Sequence, residues 1–338
     1  MRRLAPLAGI LLLVALVCGP TARDSRMRGV SWEGGQEVGP TSLDPLRGLG
    51  ANWISQTPFG WSRGLHDPDL ILSPRRGLWG ETDAGLIATT RWARERGLKT
   101  LLKPHLWVRG GAWVGGIEMR SQADWKRFFA SYETFLLHYA RLAEAQGMEA
   151  LAVGTELPNA SRRSEDWRRL ITRVRGVYRG RLTYCANWHE AEAVGFWDAL
   201  DFVGVQAYYP LRIEGPPSPA AIRRAWVPIV KGLEALHART GKPIVFTEVG
   251  YKSLAGSLAE PWRWETLGVR DDALQRDAYA AMFGSVWGRS WFGGTFVWKW
   301  HPGIGAPATP PASVERDFTP QGKSALQVIR GYYSRGRP

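Results

Sequence analysis

The chain has 338 residues, of which 44% are hydrophobic and 22% are charged, and this composition excludes a wholly disordered protein. Its length fits two domains or one large α/β barrel, which needs about 250 residues. The formal net charge is +13, but no run of Lys and Arg reaches five residues, so a nucleic-acid partner is not expected.

Residues 1–22 have the plan of a secretory signal. Two arginines precede an apolar stretch, 7–17, that is shorter than the ~20 residues of a membrane span, and small residues follow it. We therefore expect an exported protein, secreted or held in a bacterial envelope, with no transmembrane span in the mature chain. Lipidation of Cys18 is an alternative. Removal of the leader would leave Cys185 as the only cysteine, which excludes an intramolecular disulfide.

From residue 28 onward, short apolar runs alternate with longer segments of helical periodicity. The predicted strands are 28–32, 51–55, 99–105, 149–155, 181–187, 201–207, 243–248 and 293–299. The predicted helices are 41–49, 82–97, 121–146, 163–179, 190–199, 218–240, 271–290 and 319–334. Near-continuous apolar strands, each followed by a helix, indicate a parallel sheet that is covered by helices. Eight such units predict an α/β fold, a single (β/α)8 barrel domain over 28–335.

Glycines mark several of the predicted helix ends. Gly97, Gly147 and Gly241 each stand shortly before a predicted strand, where a left-handed residue ends a helix. The arginine-rich helix 163–179 is expected to turn a solvated face outward, with attraction to acidic polymers as the lesser alternative. Four long segments rich in Gly, Pro and Trp follow strands and are expected at the C-terminal rim of the barrel: 106–120, 208–217, 249–270 and 300–318.

Polar side chains at the ends of barrel strands are the main candidates for chemistry. Glu156 ends the fourth predicted strand and Glu248 ends the seventh, so both carboxyl groups are expected to converge at the barrel mouth. A carboxylic acid paired with a carboxylate is the minimum apparatus for cleaving a glycosidic bond. The alternative is that the two glutamates belong to unrelated salt bridges.

Several stretches of the chain occur in the same order in one enzyme family. They are Leu101-Leu102-Lys103-Pro104-His105, Val153-Gly154-Thr155-Glu156, Phe202-Val203-Gly204-Val205-Gln206-Ala207-Tyr208-Tyr209-Pro210-Leu211, Phe246-Thr247-Glu248-Val249-Gly250-Tyr251 and Val297-Trp298-Lys299-Trp300. As an ordered set they resemble glycoside hydrolase family 113, a clan A barrel family typified by retaining β-mannanases. The resemblance extends over residues 28–335.

The resemblance implies roles for four residues. Glu156 would be the acid/base and Glu248 the nucleophile. Tyr208 would hydrogen-bond the nucleophile, and Trp298 would form the floor under the sugar at the cleavage point. Thr155 departs from the broader clan, in which an Asn usually precedes the acid/base and contacts the sugar 2-hydroxyl. The group that binds this hydroxyl therefore stays open.

Three further polar residues at predicted strand ends are candidates for binding sugar hydroxyls. Lys103 and His105 lie two residues apart and point to the same side of the third strand. A buried ion pair with a carboxylate is an equal alternative for Lys103, and a structural role is the alternative for His105. Asn187 ends the fifth strand, and its alternative is a capped turn.

The chain contains 18 Trp, many of which fall in the predicted rim. An indole offers a large flat face with an N–H at its edge, which suits the apolar faces of a pyranose. Trp32 and Trp298 are the two tryptophans that we expect to line a sugar cleft. A rim rich in Trp favours an extended polysaccharide over a small charged metabolite.

The sequence therefore predicts an exported, retaining glycoside hydrolase that cleaves a β-linked polysaccharide. The resemblance favours β-1,4-mannan as the substrate. The expected chemistry needs no cofactor, and the sequence carries no metal-ligand motif. A β-glucan hydrolase on the same fold is one alternative, and a non-catalytic barrel that binds glycans is another.

Overall fold

The structure, a computed structural model, describes residues 25–73, 75, 77–265, 267–305 and 307–335. The predicted leader, residues 1–22, and the alternative lipidation site at Cys18 lie outside the described residues. Within the described part, no helix combines the length and the apolar character that a membrane span requires.

Eleven strands are found in the described residues. They are β1 (Met27–Trp32), β2 (Trp53–Gln56), β3 (Phe59–Ser62), β4 (Leu70–Leu72), β5 (Lys99–Leu102), β6 (His105–Val108), β7 (Ala150–Thr155), β8 (Arg181–Asn187), β9 (Val203–Gln206), β10 (Ile244–Val249) and β11 (Phe292–Trp300). Eight of them close into a barrel in the order β1-β2-β5-β7-β8-β9-β10-β11, and every neighbouring pair is parallel. The predicted (β/α)8 barrel is therefore confirmed.

Helices surround this barrel. They are α1 (Asp44–Leu49), α2 (Asp83–Glu95), α3 (Gln122–Gln146), α4 (Pro158–Ser161), α5 (Ser164–Arg175), α6 (Pro219–Thr240), α7 (Asp272–Val286) and α8 (Ala325–Tyr333). The hydroxyls of Ser121 and Ser218 cap the starts of α3 and α6 by accepting a backbone N–H. Gly147 and Gly241 end the same two helices with φ of +59° and +65°, and Gly97 follows α2 with φ of +71°, as predicted.

The interior of the barrel is packed with apolar side chains. Seven buried apolar residues form a cluster of their own, and most of them lie in the first half of a barrel strand: Met27, Trp53, Leu101, Ala150, Phe202, Val245 and Phe296. These side chains fill the barrel below the mouth, so the barrel is a solid core and not a pore. Polar side chains at the opposite, C-terminal ends of the strands are thereby held on a rigid base.

The third predicted strand, 99–105, was wrong in extent. The barrel strand ends at Leu102, and a second strand starts at His105 and continues into the segment 106–120, which was predicted as part of the rim and not as a strand. Pro104 lies between the two strands and has no N–H to donate, so the chain can leave the barrel there. β6 then pairs with β3, which in turn pairs with β4. We call these three strands the rim sheet, because β3 and β6 follow the C-terminal ends of barrel strands.

The predicted helix at 190–199 was also wrong. This connection consists of turns and one short 3-10 helix, Trp197–Ala199. The buried side chain of Glu190 accepts hydrogen bonds from the hydroxyl of Tyr184 and the backbone N–H of Asn187 instead of facing solvent. The indole N–H of Trp197 donates to the carbonyl of Ala191 at 2.9 Å. The segment is thus held by side-chain hydrogen bonds, which compete with a regular helix.

The arginine-rich helix α5 turns its charged face outward, as predicted. Arg168 pairs with Asp198 at 2.8 Å, and Arg173 pairs with Glu133 at 3.1 Å. Both arginines and their partners are exposed to solvent to a large extent. Part of the basic charge of the chain is therefore matched by neighbouring carboxylates.

Candidate active site

Glu156 directly follows the last residue of β7, at the mouth of the barrel. The register between β7 and β8 shifts between Ala152 and Thr155, and the φ angle of Glu156 is +56°, a left-handed value that residues other than glycine rarely adopt. The backbone N–H of Glu156 donates to the carbonyl of Cys185 at 3.0 Å. Backbone conformations of this kind persist where neighbouring contacts hold them, and they concentrate at functional sites.

A chain of buried hydrogen bonds fixes the turn after Glu156. The backbone N–H of Leu157 donates to the hydroxyl of Tyr184 at 2.9 Å, and this hydroxyl donates to Glu190 at 2.6 Å. The other carboxylate oxygen of Glu190 accepts the backbone N–H of Asn187 at 3.0 Å. These hydrogen bonds therefore connect the end of β7 to the end of β8, and they position the backbone that carries Glu156.

The carboxyl group of Glu156 lies at the mouth, partly accessible but largely surrounded by protein. The indole N–H of Trp113 donates to its Oε2 atom at 3.3 Å. Burial raises the pKa of Glu156, while the hydrogen bond from Trp113, the charge of Lys103 and the side chain of Gln206 partly oppose that rise. The raised pKa keeps the proton on Glu156 at pH values where an ordinary glutamate is ionised, as a general acid requires.

Glu248 lies in β10, where the pairing of this strand with both neighbours is irregular. Its side chain is buried and each carboxylate oxygen has a partner. The hydroxyl of Tyr208 donates to Oε2 at 2.9 Å, and the ammonium group of Lys103 forms an ion pair with Oε1. Burial raises the pKa of Tyr208 well above its ordinary value, so the phenol remains a donor. The hydrogen bond that the family resemblance implies between Tyr208 and Glu248 is present.

Lys103 is a fully buried cation at the centre of the mouth. Its backbone N–H donates to the carbonyl of Gln56 at 2.8 Å, which fixes the residue directly after β5. Its ammonium nitrogen also lies 5.5 Å from the ring centre of Trp298, within the range of a cation–π contact. Burial lowers the pKa of Lys103 to about 8, and the charge of Glu156 opposes this shift. Lys103 is therefore charged at neutral pH and makes the ion pair that was one of its two predicted alternatives.

His105 is the first residue of β6 in the rim sheet and lies close to Lys103. The backbone N–H of Leu106 lies 2.8 Å from its Nδ1 atom, and its ring packs against Phe59 with ring centres 5.6 Å apart. Burial lowers the pKa of His105 to about 3, and the charge of Lys103 adds to that effect. The imidazole is therefore neutral at neutral pH, which suits a group that hydrogen-bonds a sugar hydroxyl.

Trp298 lies near the end of β11 and is half-buried at the mouth. The indole of Trp264 packs edge-on against it with ring centres 6.1 Å apart. The peptide bond between Trp298 and Lys299 is cis. The cation of Lys103 on one side and the ring of Trp264 on another fix the orientation of the Trp298 ring, so that a flat apolar surface lies beside the ion pair.

Two predicted sugar-binding residues remain, Trp32 and Asn187, and the structure supports such a role only for Asn187. Trp32 is 4% exposed and belongs to the hydrophobic core, so it offers a sugar little surface. Asn187 is 7% exposed at the end of β8, and its amide nitrogen is buried with no protein partner among the described residues. A buried donor without a partner costs free energy until a ligand or a water accepts its hydrogen bond. The amide of Asn187 is therefore suited to a sugar hydroxyl.

Sequence reasoning missed two groups that contact Glu156. Trp113 lies in a rim loop and was one of many tryptophans there, with nothing in the sequence to single it out. The side chain of Gln206 interacts with Glu156 and also accepts a hydrogen bond from Thr247 at 2.9 Å. For Gln206 there was a signal in the sequence, because it is a polar residue that ends an otherwise apolar strand, Val203–Gln206.

Among the described residues, no group of three or more His, Cys, Asp or Glu side chains could hold a metal ion. Burial raises the pKa of the Cys185 thiol to about 11, so this buried cysteine is an unreactive thiol at neutral pH.

Comparison with known proteins gives a consistent result. The model of Glycoside Hydrolase Family 113 matches residues 31–323. The β-mannanase of this family from Alicyclobacillus acidocaldarius, solved in complex with ManMIm, is 28% identical, with a TM-score of 0.80 over 92% of this chain and 98% of that one. A complex of a family 113 β-1,4-mannanase is also 28% identical, with a TM-score of 0.78 over 92% and 99% of the two chains.

More distant structures share the fold alone. A β-glucuronidase from Ruminococcus gnavus, in complex with uronic deoxynojirimycin, is 14% identical, with a TM-score of 0.60 over 91% of this chain and 50% of that one. A search of curated proteins found no match.

Proposed function

The chain belongs to glycoside hydrolase family 113, and on this basis we propose that it cleaves β-1,4-linked mannan by double displacement. Glu248 is the nucleophile and Glu156 is the acid/base. The observation that carries the proposal is the pairing of a buried Glu248, held by Lys103 and Tyr208, with a nearby Glu156 whose pKa is raised. One carboxyl is thus kept ionised by its partners and the other is kept protonated, which is the division that this reaction needs.

In the first step, a carboxylate oxygen of Glu248 attacks the anomeric carbon. The bond from that carbon to the leaving oxygen breaks, and the proton of Glu156 moves to the leaving oxygen. Glu248 becomes an ester and loses its charge, while Glu156 becomes a carboxylate. The sum of the charges on Lys103, Glu156 and Glu248 stays the same, because one negative charge disappears as the other forms.

In the second step, Glu156 takes a proton from a water molecule, and the water oxygen attacks the anomeric carbon. The ester bond to Glu248 breaks, and both carboxyl groups return to their starting states. Lys103 serves as the counter-cation throughout, because it pairs with Glu248 and also acts electrostatically on Glu156. A buried cation that faces whichever carboxylate is ionised needs no rearrangement during the reaction.

The remaining polar and aromatic groups at the mouth bind the sugar. Trp298 lies beside the ion pair and offers a flat ring to an apolar sugar face. Asn187 offers a buried amide donor, and His105 offers a neutral imidazole. Support for mannan comes from the two similar structures, both described as β-mannanases of this family.

Reducing-sugar release from β-mannan, β-glucan and xylan tests the proposal, with the variant Glu248→Gln as the control. We expect the wild-type protein to release sugar from mannan and the variant to release none. Because the variant leaves the buried cation of Lys103 without its partner, we expect it to unfold at a lower temperature, and its circular dichroism spectrum at the assay temperature checks that it is folded. Release from β-glucan alone would replace mannan by glucan as the substrate. Binding of a glycan by a folded wild-type protein without any release would instead favour a non-catalytic barrel.

We also propose that the protein is exported, since residues 1–22 have the plan of a secretory signal. Mass spectrometry of the N-terminus of the mature protein, purified from a bacterial host, tests this. A chain that lacks the leader is expected, with a lipid on Cys18 as the alternative form. An intact N-terminus in the cytoplasm would contradict export.

A further inference from the structure

The rim sheet has two faces of opposite character. Along β3 and β6 the side chains alternate between exposed or partly exposed and buried positions. One face carries Gly60, Ser62, Leu106 and Val108, all of them buried. On the other face, β3 and β6 carry only rings, with Ile71 of β4 beside Trp61. We call these four rings the aromatic face: Phe59, Trp61, His105 and Trp107.

The buried face of the rim sheet packs against α3 on the outside of the barrel. A Cβ atom on Gly60 would lie 2.7 Å from the ring of Phe135, so glycine is needed there for close contact with α3. At the edge of the sheet, the backbone N–H of Leu70 donates to the hydroxyl of Ser131 in α3 at 2.8 Å. Because one face of the sheet is fixed against α3, the aromatic face is turned away from α3. His105, at the inner end of this face, lies close enough to Lys103 for the charge of Lys103 to act on its imidazole.

The two tryptophans of the aromatic face are unusually exposed. Trp61 is 39% exposed and Trp107 is 48% exposed, although they lie side by side in the β3–β6 pairing with ring centres 6.2 Å apart. Phe59 packs edge-on against Trp107 at 5.9 Å and keeps this ring in place. A continuous exposed apolar surface of this kind marks an interaction site on a soluble protein.

The aromatic face is continuous with the candidate active site. His105 stands two residues after Lys103, whose charge acts on its imidazole and whose ammonium group pairs with Glu248. From His105 the face extends outward to Trp107, a step of about 6.6 Å for two strand residues. A polymer chain that leaves the site on this side would therefore pass over His105 first and over the tryptophan pair next.

We propose that the aromatic face binds sugar units of the polysaccharide beyond the unit that is held between Glu156 and Glu248. This inference rests on the proposed function, and it adds that the enzyme prefers long chains. The occupant follows from continuity with the site and from chemistry, because flat indole faces match the apolar faces of successive pyranose rings and bring no charge. The tryptophans hold the chain in place and take no part in the bond cleavage.

The test compares a long and a short substrate, β-1,4-mannohexaose and β-1,4-mannotriose, in the double variant Trp61→Ala/Trp107→Ala. We expect kcat/KM for the hexaose to fall about tenfold or more, mainly through KM, and kcat/KM for the triose to change less than about twofold. Both side chains are exposed, so the variant is expected to fold, and its unfolding temperature checks this. Equal losses on both substrates, or no loss on the hexaose, would overturn the proposal.

Two control variants separate the binding role from other effects. Trp61→Phe/Trp107→Phe keeps flat rings and is expected to retain most of the activity on the hexaose. Val227→Ala changes an exposed apolar residue of α6, which is 53% exposed and lies outside the mouth, and is expected to change nothing. Loss of activity on the hexaose in the Val227 variant would show that any exposed apolar residue matters and would also overturn the proposal.

A separate measurement keeps this inference distinct from the proposed function. Migration through a native gel that contains mannan reports binding without turnover. Retardation of the wild-type protein, together with faster migration of Trp61→Ala/Trp107→Ala, supports the aromatic face even if no hydrolysis is found. Equal retardation of both proteins would contradict it, whatever the activity. An inactive wild-type protein would contradict the proposed function alone.

Discussion

Lys103 and Glu248 form a buried ion pair between two strands of the barrel, β5 and β10, at the level of the mouth. The lysine side chain is 0% exposed and the glutamate side chain 8% exposed, so neither charge is compensated by bulk water. Removal of one partner from such a pair leaves an uncompensated buried charge. The pair therefore couples the stability of the barrel to the charge state of the proposed nucleophile.

This coupling predicts the stability of variants at the two positions. Lys103→Met is expected to destabilise the protein by about 3–5 kcal/mol, because Glu248 is left buried without its cation. The double variant Lys103→Met/Glu248→Gln removes both charges and is expected to recover a large part of that loss. Chemical denaturation of the wild-type protein, the single variants Lys103→Met and Glu248→Gln and the double variant measures the coupling. Purely additive effects would mean that the two side chains do not depend on each other.

The acid/base role of Glu156 predicts a dependence on the leaving group. In Glu156→Ala, hydrolysis of mannan is expected to slow by roughly 10²–10⁴-fold, because the leaving oxygen is no longer protonated. A β-mannoside with a dinitrophenyl leaving group needs no such proton in the first step, so that step is expected to be spared. Added azide should then accelerate turnover and yield a β-mannosyl azide. Equal losses with both substrates would contradict the acid role.

The hydrogen bond from Trp113 to Glu156 predicts a shift in the pH profile. The bond stabilises the ionised carboxylate and so lowers the pKa of Glu156 against the effect of burial. In Trp113→Phe this opposing contribution is lost, and the pKa rises further. Glu156 acts as an acid only while it is protonated, so the alkaline limb of the kcat/KM profile is expected to move to higher pH. A shift to lower pH would contradict the assignment.

The matched control for this shift is Trp107→Phe, which makes the same substitution on the rim sheet at an exposed tryptophan. Its pH profile on a short substrate is expected to coincide with that of the wild-type protein. A common shift in both variants would point to a general effect of losing an indole at the rim.

The close packing around Gly250, behind Trp298, predicts that a side chain at this position is not tolerated. A Cβ atom at this position would lie 2.9 Å from the backbone carbonyl of Trp298 and 2.9 Å from the ring of Phe318. Gly250→Ala is therefore expected to destabilise the protein by about 1–3 kcal/mol and to displace Trp298. Thermal unfolding should show the loss, and KM should rise as the sugar floor moves. Gly303→Ala, where nothing lies within 4 Å of the added atom, is the control and is expected to leave both unchanged.

The barrel itself could be predicted from the sequence, since alternating apolar strands and amphipathic helices are a local pattern. The strand Arg181–Asn187 was predicted to the residue, and both glutamates were placed at strand ends. The rim sheet was missed because its pairing joins β3 to β6 across more than forty residues of chain, and no local periodicity reports such pairing.

The sequence also did not show which individual aromatic side chains are buried and which are exposed. Trp32 was expected to face the sugar but lies in the core, whereas Trp61 and Trp107 are exposed on the rim sheet. Both kinds of tryptophan follow or end apolar strands, so their sequence contexts are alike. Their exposure depends on which loops pack above them, and that is a tertiary property.

The anomeric configuration of the first product tests the central claim most directly. Proton NMR spectra recorded during the first minutes of hydrolysis of β-1,4-mannohexaose distinguish the two anomers before they equilibrate. Double displacement through Glu248 predicts that the β-anomer appears first and the α-anomer follows by mutarotation. Initial release of the α-anomer would show inversion, and it would contradict the role of Glu248 as a nucleophile that forms a covalent intermediate.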